Sequence, residues 1–315
     1  MVINNLIEYN LFRQLLNNRN VHFGRDGWMF YIGANCRENY ENRKPLTIEQ
    51  LEAMKEVLVA RHEWLKERGI KFYLVFPPMA YFVYEEKVGP RLWRYNQKTK
   101  LEQLLEFLKK NTELNIIDIY NPLMEAKKGK PIRLYYRDNS HWNYFGSYVA
   151  YRAMIQYIKK DFENIDPPLP LSKIDWIEFK EYYSDFLKLV GIYKYYTYNE
   201  VMPVINCEPV PDTLKPVFPE LVSPVYPFTI VNHHKSHKPS MLLYGDSFSG
   251  FLLTYLNYNF YRSTFLWTPI FYPTIIEKEH PDIVIQEMAD YTILNILNPN
   301  PPLPEMNDTV NVVGK

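Results

Sequence analysis

The stretch LLYGDSFSG, residues 242–250, sets a run of aliphatic and aromatic side chains against an abrupt Gly-Asp-Ser break, after which an apolar stretch resumes. This order reads as a buried strand, a tight turn and the start of a helix. Such a turn pushes the hydroxyl of Ser247 out at the carboxyl edge of a parallel sheet, where α/β proteins hold their ligands. It also aims the N–H groups of the turn and the helix start at one point, as an oxyanion requires. Gly245 permits an unusual backbone there, so Gly245 and Ser247 are the candidate turn and oxyanion residues. The competing reading is an ordinary serine in a polar loop, because short Gly-Asp-Ser segments also occur without chemistry.

The rest of the chain supports the strand-turn-helix reading. Thr47 followed by Gln50 forms a capping box, and Leu51, Met54, Leu58 and Leu65 make one apolar stripe that ends at Gly69. The run IKFYLVF, 70–76, is nearly all apolar, as in a parallel strand buried on both faces. The pattern repeats with LEQLLEFLKK (101–110) as a helix, LNIIDIY (114–120) as a strand and NPLMEAKKGK as a short helix. IRLYY (132–136) is expected as a third strand, and a helix capped by Asn143 runs from Tyr144 to about Phe162. STFLW, PDIVIQE and a helix near 287–297 close the pattern. Alternating helices and strands predict an α/β fold with a mostly parallel sheet and helices on both faces. Residues 163–239 hold many of the 24 prolines and read as an irregular insertion over the sheet, with one helix near 178–190. The expected division is an N-terminal helix (1–21), one domain (22–298) and a frayed tail (299–315).

Composition excludes several classes of function. The 36 basic and 36 acidic residues balance, and no block of like charge forms, which argues against a nucleic-acid or membrane-surface footprint. The tyrosine content is high, and a subset of these rings suits a sugar-binding groove beside the larger number that pack at the core edge. Cys36 and Cys207 form either one disulfide or two free thiols. The start, MVINNLIEYNLFRQLLNNRN, is patterned as an amphipathic helix rather than as a signal peptide. The longest weakly charged run, 247–276, contains asparagines and prolines and reads as buried core rather than a membrane span.

A nucleophilic serine needs a base. His141 follows a strand, as Ser247 does, so both belong at one sheet edge. Asp138 lies three residues earlier in RDNSHWN, where its carboxylate is the candidate to hold the far imidazole nitrogen. The alternative is a surface histidine beside a capping aspartate. His233, His234 and His237 in NHHKSH lack a nearby carboxylate or cysteine in sequence, so no metal is expected there. Trp142 and Tyr255 flank the motifs and are candidate sugar contacts, with core packing as the competing role.

GDSFS, together with the upstream D-N-S-H-W-N-x-x-G, resembles the SGNH-hydrolase-like polysaccharide O-acetyltransferases of the alginate acetyltransferase AlgJ/AlgX type. GRDGWMFY is similar to that family's GxDGWLFY start, GIKFYLVFPPMAYFVYEE to its strand and PPNKxxxYPE loop, and HPDIVIQEMADY to its closing PDxVIxExxER. The likeness runs from His22 to Tyr291, with the histidine motif before the serine motif as in the family. There are departures. Asn139 stands where the family writes the Asp of Asp-x-His, with Asp138 one residue earlier; Met79-Ala80 replaces Asn-Lys, and Ala289-Asp290 replaces Glu-Arg.

The resemblance implies a three-layer α/β/α sandwich and a triad of Ser247, His141 and Asp138, with no cofactor. It implies a polysaccharide acceptor, acetyl groups delivered by a membrane acyltransferase partner, and an extracytoplasmic location. Three functions remain open: an O-acetyltransferase working through an acetyl-serine, a carbohydrate acetylesterase with the same triad, and a non-catalytic polysaccharide-binding scaffold.

Overall fold

The structure is a computed structural model. It describes residues 6–7, 19–129, 132–182, 184–196, 198–206, 212–214 and 227–304. Most of the expected N-terminal helix, Cys207 and residues 305–315 lie outside the described residues.

Five strands form the parallel heart of the sheet: β3 (Lys71–Val75), β4 (Asn115–Ile117), β9 (Ser240–Gly245), β10 (Arg262–Trp267) and β11 (Ile283–Glu287). Two more, β7 (Asp212–Leu214) and β8 (Phe228–Val231), add antiparallel at one edge, giving the order β4-β3-β11-β9-β10-β8-β7. The central strands β3, β9 and β11 are buried on both faces and alternate between them. Tyr73, Val75, Met241, Leu243, Ile283 and Ile285 face one cluster, while Phe72, Leu74, Leu242, Tyr244 and Val284 face the other. The first cluster is closed by α4 (Tyr120–Gly129), α5 (Tyr144–Ile158) and α7 (Ser247–Leu256). The second is closed by α2 (Ile48–Glu67), α3 (Lys100–Asn111) and α8 (Pro273–Glu279). The result is the three-layer sandwich that the helix-strand alternation predicts.

Local signals place the element ends. Thr47 and Gln50 form the reciprocal capping box of α2, and Gly69, at φ 71°, ends that helix. The Asn143 side chain accepts from the N–H groups of Phe145 and Gly146 at the start of α5. Gly146 is required by close approach, because a Cβ there would overlap the Leu134 carbonyl oxygen.

Four expectations need correction. Residues 132–136 form no strand; Tyr135 makes a single bridge to Trp142, and the segment spends its other polar groups on loop contacts. The helix near 178–190 is shorter. Residues Ile174–Tyr182 form β5, paired antiparallel with β6 (Tyr198–Ile205), and helix begins only at α6 (Asp185–Leu189). β-branched and aromatic residues (Ile174, Trp176, Ile177, Phe179) and the pairing with β6 make this segment strand. The insertion also does more than lie over the sheet, since β7 and β8 extend it. Finally, the tail is anchored as far as Pro304, whose carbonyl accepts from the Trp64 indole at 2.8 Å, and Asn300 Oδ1 accepts from Phe271 N. The element near 287–297 is a 3₁₀ helix, Asp290–Leu297. Cys36 is a buried free thiol. Among the described residues, no helix is long and apolar enough to cross a membrane.

Candidate active site

Ser247 is the first residue of α7, immediately after β9, and Asp246 is its N-cap. Asp246 Oδ1 accepts from Phe248 N at 2.9 Å, and Asp246 Oδ2 accepts from Ala289 N at 2.9 Å. The Ser247 turn is therefore fastened both to its own helix and to the loop after β11. Beneath it, Glu287 Oε2 accepts from Asp246 N at 3.0 Å and from the Ser249 hydroxyl. Gly245 does not adopt a left-handed backbone, contrary to the expected reason for glycine. It is needed because a Cβ would overlap Ser249 Oγ and lie 2.6 Å from Glu287 Oε2.

A third acid completes this floor. Asp290 accepts from Met79 N and from Asn39 Nδ2, each at 2.8 Å, and so ties the loop after β3 to the loop after β11. The pairs Met79-Ala80 and Ala289-Asp290, where the resembled family has charged residues, thus serve as a knot at the sheet edge. Burial pushes the carboxyl of Asp290 up to about 8. Burial raises Asp246 and Glu287 as well, and their mutual repulsion adds to the rise at Glu287. Among the described residues, Glu287 Oε1 faces no N–H or O–H donor; a proton held there lets it donate to Asp246 beside it.

His141 comes from the loop between residue 136 and α5, and meets Ser247 across 106 positions of sequence. Its Nε2 lies 2.6 Å from Ser247 Oγ. The ring packs against Phe248 and Phe251, with centroids 5.0 and 5.8 Å away. Burial lowers its basicity to about 4, opposed by the charge of Asp185. At neutral pH the imidazole is uncharged, the state a general base needs.

The expected orienting acid, Asp138, does not hold the imidazole. Nδ1 of His141 is 2.7 Å from Asn139 Oδ1, which also accepts from the His141 backbone N–H at 3.1 Å. A one-residue offset in the turn sends the Asp138 side chain elsewhere. It is buried toward Ser184, its Oδ2 meets no hydrogen-bond partner among the described residues, and burial raises its carboxyl to about 6. Asn139 Nδ2 in turn donates to Asp185 Oδ2. With the amide nitrogen so committed, Asn139 presents its oxygen, an acceptor only, to His141. Nδ1 therefore carries the ring proton, and Nε2 is left with its lone pair toward the serine hydroxyl. Sequence reasoning missed Asn139 as a functional residue, although it occupies the position of the family's aspartate; Asp185 carried no sequence signal.

Trp142 and Tyr255 do not reach the site surface. Both are fully buried; the Trp142 indole donates to Phe248 O at 3.2 Å and the Tyr255 hydroxyl to Tyr144 O at 2.8 Å. They brace α5 against α7. The aromatic rings around His141 are instead Phe248, Phe251 and, against Phe251, Tyr136 and Tyr144. A cavity of about 350 Å³ opens farther along the sheet edge, lined by residues including Arg94, Lys109, Asp118, Tyr120 and Asp290; neither Ser247 nor His141 lines it. His233 faces Asp212 at 3.5 Å. Among the described residues, no three His, Cys, Asp or Glu side chains converge as metal ligands.

Residues 21–218, more than half of the chain, match the family model described as ALGX, the SGNH hydrolase-like domain of acetyltransferase AlgX. The match includes His141 and Asn139 and ends before Ser247. No curated protein matches the sequence. The fold is similar to that of Bacillus cereus PatB1, at TM-score 0.60 and 13% identity over 85% of this chain and 95% of that one. It is similar to a DHHW family protein from Eubacterium siraeum, at TM-score 0.59 and 12% identity over 87% and 93%. It also resembles the O-acetyltransferase domain of Pseudomonas putida AlgJ, at TM-score 0.53 and 16% identity over 90% and 94%.

Proposed function

The chain belongs to the SGNH hydrolase-like acetyltransferase family of the AlgX type, and from that premise we propose that it transfers acetyl groups to polysaccharide hydroxyls through Ser247. The observation that carries this reading is the 2.6 Å contact between His141 Nε2 and Ser247 Oγ. Two residues from distant loops share one proton there, with a neutral imidazole on the accepting side.

In the first half-reaction His141 Nε2 takes the Ser247 proton as Oγ attacks the acetyl carbonyl. The tetrahedral oxyanion forms at the start of α7, where the Ser247 N–H has no intrahelical acceptor. Phe248 N is committed to Asp246, so Ser247 N is the first-turn donor on which this reading relies. One such donor is worth about 3–4 kcal/mol of barrier. Collapse expels the donor alkoxide, which leaves with the proton from His141, and an acetyl-serine remains. A sugar hydroxyl then gives its proton to His141 and attacks the acetyl carbon. Ser247 departs and recovers the proton. Asn139 holds the ring in the productive tautomer throughout. The resemblance extends this reading to a membrane partner that supplies the acetyl group and to a site of action outside the cytoplasm.

The test is mass spectrometry of the protein incubated with an acetyl-ester surrogate, with and without an oligosaccharide. The expected result is an acetyl adduct on Ser247 that discharges to the oligosaccharide and is absent in Ser247→Ala. Release of free acetate with no acetylated sugar would instead make the protein an esterase. No adduct, together with unchanged function of Ser247→Ala, would leave the scaffold reading.

A further inference from the structure

The Asn in the histidine loop leaves the relay without a carboxylate on Nδ1, yet one lies a single amide away. We propose that Asp185, supplied by the proline-rich insertion, is a positioning residue that acts on His141 through the Asn139 side chain. This rests on the acyl-transfer reading of Ser247 and His141.

Three observations carry it. First, Asp185 Oδ2 accepts from Asn139 Nδ2, and Asn139 Oδ1 accepts from His141 Nδ1 at 2.7 Å. A side-chain amide has one donating and one accepting end. An acceptor-only carboxylate on the donating end forces the oxygen toward the imidazole. Without Asp185 the amide is free to turn over and present N–H to Nδ1. That would select the tautomer with the proton on Nε2, which cannot take a proton from Ser247. Second, the element bearing Asp185 is clamped to the histidine loop itself. Ser184 Oγ donates to the Asp138 carbonyl at 2.8 Å, Phe186 N donates to the same oxygen at 3.3 Å, and Ser184 caps Leu187 N at 3.1 Å. Phe186 and Leu187 are buried with Val21 and Met29 of the N-terminal hairpin (β1, Val21–Phe23; β2, Met29–Tyr31), and Met29 N donates to Arg137 O at 2.7 Å. Third, Asp185 is the charge that favours a protonated His141. Of the other charged groups around the loop, Arg137 acts by charge on Asp138 and Glu200, and the rest are turned away from His141. Glu200 pairs with Arg133 at 2.6 Å, Asp138 faces Ser184, Asp246 caps α7, and Lys188 pairs with Asp185 itself at 3.1 Å.

In a Ser-His-Asp triad the directly bonded acid is worth about 10⁴ in turnover, much of it through the tautomer. Here the charge lies one amide farther out on a half-exposed side chain. Solvent screening reduces the charge contribution to about tenfold.

The experiment compares Asp185→Asn, Asp185→Ala and the exchange Asn139→Asp/Asp185→Asn in the full chain. It reads the His141 titration and tautomer by nitrogen NMR, and kcat/KM against pH with an acetyl-ester surrogate. Asp185→Asn keeps an acceptor for the amide and loses the charge, so kcat/KM should fall about tenfold and His141 should titrate at lower pH. Asp185→Ala should lower it further and add the Nε2–H tautomer. The exchange restores a charge on the imidazole side and should return most of the turnover and move the titration above that of the parent. A His141 titration and turnover indifferent to both single changes would overturn the proposal. So would a loss of turnover that leaves the titration and tautomer unchanged and that the exchange does not rescue, because that marks a merely structural role. Failure of the parent protein to take acetyl on Ser247 would overturn the acyl-transfer reading instead, and the NMR readout is independent of it.

Discussion

Gly245→Ala puts the turn that carries Ser247 to a quantitative test. The added Cβ would overlap Ser249 Oγ and lie 2.6 Å from Glu287 Oε2 and 3.0 Å from Ser249 Cβ. Ser249 relieves the overlap only by rotating its hydroxyl away from Glu287, which leaves that buried hydroxyl without its acceptor at a cost of about 1–3 kcal/mol. The remaining close contacts are with a carboxyl fixed by Asp246 N, so overpacking adds about 1–3 kcal/mol. The sum is a destabilisation of about 2–6 kcal/mol. In a Ser249→Ala background the hydroxyl is already gone, and the same glycine change should cost about 1–3 kcal/mol less. Urea unfolding of the four proteins gives the cycle, with acetyl-ester turnover measured alongside, since any shift of this turn moves Ser247. The reasoning fails if Gly245→Ala costs under about 1 kcal/mol, or if the two changes add within about 0.5 kcal/mol.

Other outcomes follow from the same geometry. Asp138→Asn should keep turnover within about threefold, because Asn139 rather than Asp138 holds His141. It should also match or exceed the parent in stability at pH 8, where the raised carboxyl of Asp138 bears a buried charge; a large loss of activity would restore Asp138 to the triad. Burial pushes the carboxyl of Asp290 from the ordinary aspartate range up to about 8. The folded state therefore keeps a proton that the unfolded chain has released, and stability falls as pH rises from the ordinary aspartate range toward 8, by an amount on the order of a few kcal/mol. Asp290→Asn should flatten this slope between pH 5 and pH 7.5 in urea titrations; parallel slopes would contradict the assignment. His141, lowered to about 4, stays neutral through the mildly acidic range. kcat/KM of the parent should hold steady down to about pH 5 and drop below it, whereas an acid limb near 6.5 would mean a solvent-exposed base. Tyr255→Phe should cost about 1 kcal/mol in stability by losing its bond to the Tyr144 carbonyl, with no change in KM for a sugar acceptor.

Much of this architecture was legible in the amino-acid order because it rests on local or periodic physics. Two-faced apolar runs at 70–76 and 242–244, the Thr47–Gln50 and Asn143 caps, and the Gly-Asp-Ser break each carry their meaning within a few residues. The misreadings share a cause. Residues 132–136 have strand-like composition but no partner strand, and pairing is a property of the neighbour. Trp142 and Tyr255 sit near the motifs in sequence, yet the bridge to Tyr135 turns Trp142 into the core and helix rotation does the same for Tyr255.

The sequence by itself determined the central parallel strands, their helical layers and the turn that presents Ser247, because hydrophobic periodicity decides those. The edge strands of the insertion, and the approach of His141 from a segment that forms no strand, depended on tertiary pairing. Tertiary structure alone decided which side chain holds the imidazole. Asp138 and Asn139 differ by one position, and the direction of a loop side chain depends on the turn around it rather than on residue type. Asp185 comes from 46 residues away, in a segment with no periodic pattern, and reaches the loop only because Phe186 and Leu187 are buried against the N-terminal hairpin. A relay made of one neighbour and one distant residue leaves no spacing in the sequence to read.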